Sequence, residues 1–351
     1  MGINKFNFSS FFNYQINASI KNQDFVFNSN KIAIPIQTHS SNVKFVTEPG
    51  TYDNFDGLIT SKKYNIINYI MIPLLDTHQH LLYREKNTYA WTKDIPPLAE
   101  GNFSVDDYNS LTNGLGIVGS LFMEADADDF KEESHFINSL SKNHENSIKG
   151  LIVSIRPEND EGFESWLNES IEMGVVGYRR ILHVVPDEMS QSETFRKNVR
   201  KIGNADKTFD LCFLAKQLTV AIELAEACDN TRLILNHCGV PDISGDNMDP
   251  WKKNIESLSK LSNVTCKLSG LMAYCPPGTS SLETIQPYVD HVLNCFGPDR
   301  ILWGSDWPVV NLGKGLQEWI SVTRKILDKL SESEATSIAN GTAKSIYKVN
   351  I

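Results

Sequence analysis

Three things are scarce in this 351-residue chain, and each scarcity excludes a class of protein. Basic residues are outnumbered, 33 Lys and Arg against 43 Asp and Glu, and the net charge of −10 repels phosphate backbones and anionic membranes. Nucleic acid and membrane surfaces are therefore not expected partners. No stretch approaches the 18 consecutive apolar residues of a membrane span, and the opening Met1–Gln15 lacks the basic start, apolar core and small-residue cleavage site of a signal peptide. This predicts a cytoplasmic protein. The six cysteines (Cys212, Cys228, Cys238, Cys266, Cys275, Cys295) form no CxxC pair, which suits reduced, buried thiols better than a disulfide framework.

What the chain does have is enough apolar residue, 41%, to bury one large core. The first 70 residues differ in kind from the rest: 11 Asn, six Lys, no Arg and four acidic residues give them a charge of +2. Short β-prone runs at Asp24–Phe27, Ile32–Ile36 and Asn42–Val46 are broken by turn-forming residues, so residues 1–70 read as a small β-rich segment. From Ile72 onward eight apolar β-type runs alternate with helical patterns: Ile72–Thr77, Gly116–Phe122, Gly150–Ile155, Val175–Arg179, Phe209–Phe213, Arg232–His237, Val264–Leu268 and Arg300–Gly304. Amphipathic helices are expected at Asp128–Ser141, Gly162–Met173, Ala215–Cys228, Asp249–Leu261 and Leu282–Phe296. Eight strand-helix repeats over residues 71–351 predict an α/β fold, a (β/α)8 TIM barrel. An open doubly wound sheet is the alternative, but no Gly-rich phosphate turn follows the first run.

Active sites of such barrels lie where the strands end, and these ends are polar: Asp76, His78 and His80; Arg179, Arg180 and His183; Asn236 and His237; Ser305, Asp306 and Trp307. His78 and His80, spaced i, i+2, project to one side of an extended strand and can meet one ion or one substrate. Asp306 precedes Trp307-Pro308, where the strand must stop, and a carboxylate left there can take a proton from water. His78, His80 and Asp306, with His237 nearby, are also a possible three-ligand zinc set; the same residues can work without metal. Tyr178, Arg179, Trp307 and Trp91 suggest a hydroxyl-rich ligand stacked on aromatic faces.

The segments Asp76–His80, Val176–Arg180, Leu233–Pro241 and Ile301–Val309, with the closing Ala339–Tyr347, together resemble the amidohydrolase-related TIM-barrel hydrolases, most of all their sugar-lactonase branch. Trp91 matches an aromatic of the loop after the first strand in that branch. The resemblance implies attack by an activated water on the carbonyl carbon of a small lactone, a sugar or dicarboxylate lactone, giving the hydroxy acid. By position, Asp306 would be the general base, and His78, His80 and His237 would polarise the carbonyl directly or through a divalent ion. Arg179 or Arg180 would hold a substrate carboxylate or hydroxyl, with His183 at the rim. The wider superfamily carries a histidine at the end of the fifth strand, where this chain has Asp210-Leu211-Cys212, so Asp210 serves there or nothing does. That departure weighs against the alternative, a metal-dependent decarboxylase of an aromatic or unsaturated acid; a non-catalytic scaffold is the third reading.

Gln37-Thr38-His39 and Phe55–Thr60 resemble part of the polyphenol-oxidase-like, laccase-domain family, whose Q-x-H motif supplies one zinc ligand. The further cysteine and histidine of that family do not follow before the barrel begins, so residues 1–70 read as a truncated remnant without its own catalysis. Such a fragment must pack on the barrel, pair with another chain, as in a homo-oligomer, or be partly disordered.

Overall fold

The computed structural model describes residues 71–351 except 144, 145 and 246, and within residues 1–70 only the backbone of six short strands. The chain divides into two units, residues 1–70 and 71–351. In the first, Ile32–Gln37 pairs in parallel with Gly50–Asp53, Asn65–Ile66 and Tyr69–Ile70, and Val43–Phe45 pairs with Gly57–Ile59. Two of the expected strands are found there; Asp24–Phe27 and His39 lie outside the described residues. Each pairing among these described strands is parallel.

The second unit is a (β/α)8 barrel. Its strands are β1 (Leu74–Gln79), β2 (Ile117–Met123), β3 (Ile148–Ser154), β4 (Gly177–Ile181), β5 (Thr208–Cys212), β6 (Arg232–Leu235), β7 (Val264–Leu268) and β8 (Ile301–Trp303), all parallel and in sequence order. Closure comes just past β8, where Asp306 N donates to His78 O at 2.8 Å and His80 N to Trp307 O at 2.7 Å. Between the strands run α1 (Val105–Thr112), α2 (Phe130–Ser141), α3 (Phe163–Glu172), α4 (Asp187–Gln191), α5 (Glu193–Asn204), α6 (Leu218–Ala227), α7 (Asp249–Ser259) and α8 (Leu282–Phe296). After β8 come α9 (Gly315–Leu327), α10 (Glu332–Thr336) and α11 (Thr342–Tyr347). Side-chain caps fix where helices start: Ser104 and Asp107 form a reciprocal capping box on α1, and Asp129, Ser192 and Ser281 accept backbone N–H groups at α2, α5 and α8. Among the described residues no helix is long and apolar enough to cross a membrane.

Strand alternation sorts the apolar residues. Leu233 and Leu235 join the core between the strands and helices, while Ile234 points inward with Leu75, Leu121, Ile152 and Leu302. Ala343, Tyr347 and Val349 of the C-terminal segment join this inner cluster, and Lys348 pairs with Asp206 just ahead of β5. The barrel floor is thus closed by apolar packing, each fully buried large side chain contributing roughly 1.5–3 kcal/mol. Above it, toward the strand ends, the interior turns polar.

Candidate active site

Asp76 organises the joint between β1 and β8. Its Oδ1 accepts His78 N (3.0 Å) and Ser305 N (2.7 Å), and its Oδ2 accepts the Tyr108 hydroxyl of α1 (2.6 Å). Burial nonetheless raises its pKa above the usual carboxylate value. A side chain at Gly304 would stand 2.8 Å from the His78 Cβ, so only glycine lets the two strand ends approach. The chain then bends at Asp306 with φ +60, which places its carboxylate among the histidines.

His78, His80 and His237 surround that carboxylate. His78 Nε2 lies 3.7 Å and His80 Nε2 3.6 Å from Asp306 Oδ1, and His237 Nδ1 is 3.8 Å from Oδ2. His80 Nδ1 stands 3.0 Å from the Met123 carbonyl, which can only accept, so Nδ1 carries a proton and the Nε2 edge faces the site. His237 is delivered by unusual backbone. After β6 four successive residues, His237, Cys238, Gly239 and Val240, have φ of +53, +54, +72 and +46. For non-glycine residues such strain costs on the order of 1–3 kcal/mol each. It is held by Trp251 Nε1 donating to Cys238 O (2.8 Å) and by Ser269 Oγ 2.9 Å from His237 Nδ1. Burial pushes the His237 pKa down to about 4 despite Asp306, and burial with the Lys267 charge lowers that of His78 well below the usual value. Both rings are neutral at pH 7. Asp306 Oδ2 is buried and accepts no hydrogen bond among the described residues.

Two buried ion pairs flank His78. Lys267 of β7, wholly buried, reaches Asp210 Oδ1 (2.7 Å), Thr77 O (3.0 Å) and His78 Nδ1 (3.4 Å). Arg179 of β4 donates from Nε to Glu124 Oε1 and from Nη2 to Glu124 O, both at 2.5 Å, and its Nη1 lies 3.3 Å from His78 Nε2. Neither Lys267 nor Glu124 was expected from the sequence. The signal for Lys267 was there, a cation inside the apolar run Val264–Leu268; Glu124 follows Leu121–Met123 with nothing to mark it.

Several expected roles change. Asp210 does not stand in for a fifth-strand histidine: Lys267 occupies it, and the Tyr347 hydroxyl lies 3.5 Å from its other oxygen. The end of β5 is Cys212, its Sγ 3.5 Å from His183 Nδ1, with the thiol pKa raised to about 12 by burial. Arg179 has no free fork for a carboxylate, since Glu124 holds two of its nitrogens. Arg180 Nε is paired with Glu158 at 3.0 Å. Tyr178 points outward from the barrel, its hydroxyl 2.7 Å from Ser170 Oγ, and offers no stacking face to a ligand. Trp307 packs edge-on against Phe103 and Tyr108 behind the Asp306 bend. Trp91 lies in the loop after β1, partly exposed, with Nε1 donating to Ala125 O at 2.7 Å.

Donor atoms of His78, His237 and Asp306 all lie within 4.8 Å of one another, close enough to hold a metal ion. Two neutral imidazoles and a carboxylate oxygen without a partner match the three-ligand donor set of catalytic divalent sites, so the residues fit such an ion.

Comparison with known proteins bears on the family and the fold. The chain is 24% identical over 78% of its length to an L-fucono-1,5-lactonase of Burkholderia multivorans, of which 95% is covered. It is 27% identical over 66% of its length to a 4-sulfomuconolactone hydrolase of Rhizobium radiobacter, of which 75% is covered. A Burkholderia multivorans amidohydrolase crystallised with bound zinc superimposes with a TM-score of 0.71 at 23% identity, over 79% of this chain and all of that one, which shows the shared fold. Residues 75–349 match the family described as amidohydrolase, and the chain belongs to it as a hydrolase built on the barrel described above.

Proposed function

We propose that this hydrolase opens a lactone ring, with a sugar lactone or a dicarboxylate lactone as substrate. The observation that carries the reading is Asp306: a buried carboxylate, one oxygen without a hydrogen-bond partner among the described residues, ringed by His78, His80 and His237. Relatives named as lactonases point the same way. Asp306 takes a proton from water, and the oxygen of that water forms a bond to the carbonyl carbon. The C=O electron pair moves onto its oxygen, where an N–H of the His78 or His237 ring meets the developing charge. When the double bond re-forms, the ring C–O bond breaks and Asp306 returns its proton to the leaving alkoxide, giving the hydroxy acid. A divalent ion, zinc by expectation, would be held by His78, His237 and Asp306, with His80 beside them, and would polarise the carbonyl. Trp91, Arg180 and His183 are proposed to contact the substrate at the rim.

Residues 1–70 are proposed to be a second unit without its own catalysis, and the protein to be cytoplasmic. The test of the reaction is acid release from aldonolactones and dicarboxylate lactones by the wild type and by Asp306→Asn, whose amide cannot take the proton. Release of CO2 from an aromatic acid in place of acid from a lactone would favour a decarboxylase.

A further inference from the structure

The structure points to a residue that the reading above leaves without a chemical role. Arg179 is 3% exposed, and its guanidinium is aimed with unusual care. Glu124 fixes two of its three nitrogens, through one carboxylate oxygen and the main-chain carbonyl. Glu124 is itself fixed, because its Oε2 accepts Asp126 N at 2.9 Å, with Asp126 in a left-handed conformation at φ +51. The third nitrogen, Nη1, is thrust into the histidine cluster, where its one hydrogen-bond neighbour among the described residues is His78 Nε2 at 3.3 Å. Nδ1 on the opposite edge of that ring faces Lys267. A cationic N–H donor pointed at a ring already served by another cation is poorly satisfied, and it sits 3.3 Å from the nitrogen that also faces Asp306. A cationic donor held rigidly at the site without a good acceptor is what an oxyanion site requires.

Resting on the lactone reading, we propose that Arg179 is a catalytic residue: its Nη1, aimed by the positioning residue Glu124, donates to the lactone carbonyl oxygen and to the oxyanion that forms there. As the water oxygen bonds to carbon, the π pair moves onto the carbonyl oxygen, and the hydrogen bond from the guanidinium N–H to it shortens. When the C=O bond re-forms and the ring oxygen leaves, the contact relaxes and no proton is transferred from Arg179. This differs from a carboxylate clamp, because the oxygen it serves belongs to every lactone, charged or neutral.

The test compares kcat and KM of the wild type, Arg179→Lys and Glu124→Gln on one neutral aldonolactone and one dicarboxylate lactone. The expected result is a kcat loss of roughly 10²–10³-fold in Arg179→Lys on both substrates, with KM changed by less than about threefold. Glu124→Gln should lower kcat in the same pattern, and thermal melting reports whether each variant is folded. A loss confined to the dicarboxylate lactone, or carried in KM, would overturn the proposal in favour of a clamp; unchanged kcat would overturn it outright. A cyclic phosphonate, whose tetrahedral oxygens mimic the intermediate, separates this proposal from the reading beneath it. Weaker binding to Arg179→Lys than to the wild type supports the oxyanion role even when the lactones tried are not substrates, and equal binding contradicts it.

Discussion

The floor and the mouth of this barrel are built from the same eight strands on opposite terms. At the floor, Leu75, Leu121, Ile152, Ile234 and Leu302 pack with Tyr347 and Val349. At the mouth, His237, Cys238, Val240 and Asp306 all have left-handed backbone, and buried polar atoms of Asn236 and Asp306 lack partners among the described residues. The difference teaches where each kind of energy is kept. Apolar burial at one end stabilises the fold and offsets strain and unsatisfied polar groups at the other, where substrate or water can satisfy them.

Lys267 lies on the border between the two, and removing it should cost the most stability. Lys267→Met leaves Asp210 buried without its partner, and an expected loss of about 3–5 kcal/mol is read by denaturant unfolding. A loss well under 1 kcal/mol would mean that the floor does not depend on this pair. Ile234→Ala, wholly in the floor, should cost roughly 2–5 kcal/mol through the lost contacts and the cavity left behind, with kcat unchanged below the melting transition. A fall in kcat at full foldedness would break the separation.

The mouth makes the pH prediction. His237 titrates near 4 in the folded protein against 6.5 when unfolded, so below pH 6.5 the unfolded chain takes up the proton first. Stability from keeping this ring neutral is present in full above pH 6.5 and lost progressively as pH falls toward 4, on the order of 3 kcal/mol in all. Denaturant midpoints of wild type and His237→Gln should converge as pH falls through that window; parallel curves would contradict the assignment. Smallest in free energy is Gly270→Ala. Gly270 has φ +72, and an added Cβ would sit 2.7 Å from His237 Nδ1, so displacement of the ring should lower kcat about 100-fold while the floor stays intact. An unchanged rate would show that the His237 position is not critical.

Much of this is legible in the sequence, because periodicity reports which way a side chain points. All eight barrel strands fall within the expected apolar runs or a few residues of them, and His78, His80, His237 and Asp306 do converge. The run ending in His237 stops as a strand at Leu235, since the backbone turns left-handed there, a conformation that hydrophobicity does not encode. Partnership was harder to see than position. Arg179 was visible as a strand-end cation, yet Glu124, 55 positions away in the chain, decides that its fork is closed to a substrate carboxylate. Lys267, a cation inside an apolar run, drew no reading from the sequence, because its partners Thr77, His78 and Asp210 come from two other strands. Tyr178 and Trp307 were aromatics in the right segments on the wrong face.

The central claim is that Asp306 activates water against a lactone carbonyl, and the most direct measurement is proton release by the wild type and Asp306→Asn on aldonolactones and dicarboxylate lactones, with and without a chelator. The account predicts acid release by the wild type and a loss of roughly 10²–10⁴-fold in kcat in the variant. Turnover in Asp306→Asn at the wild-type rate would contradict it.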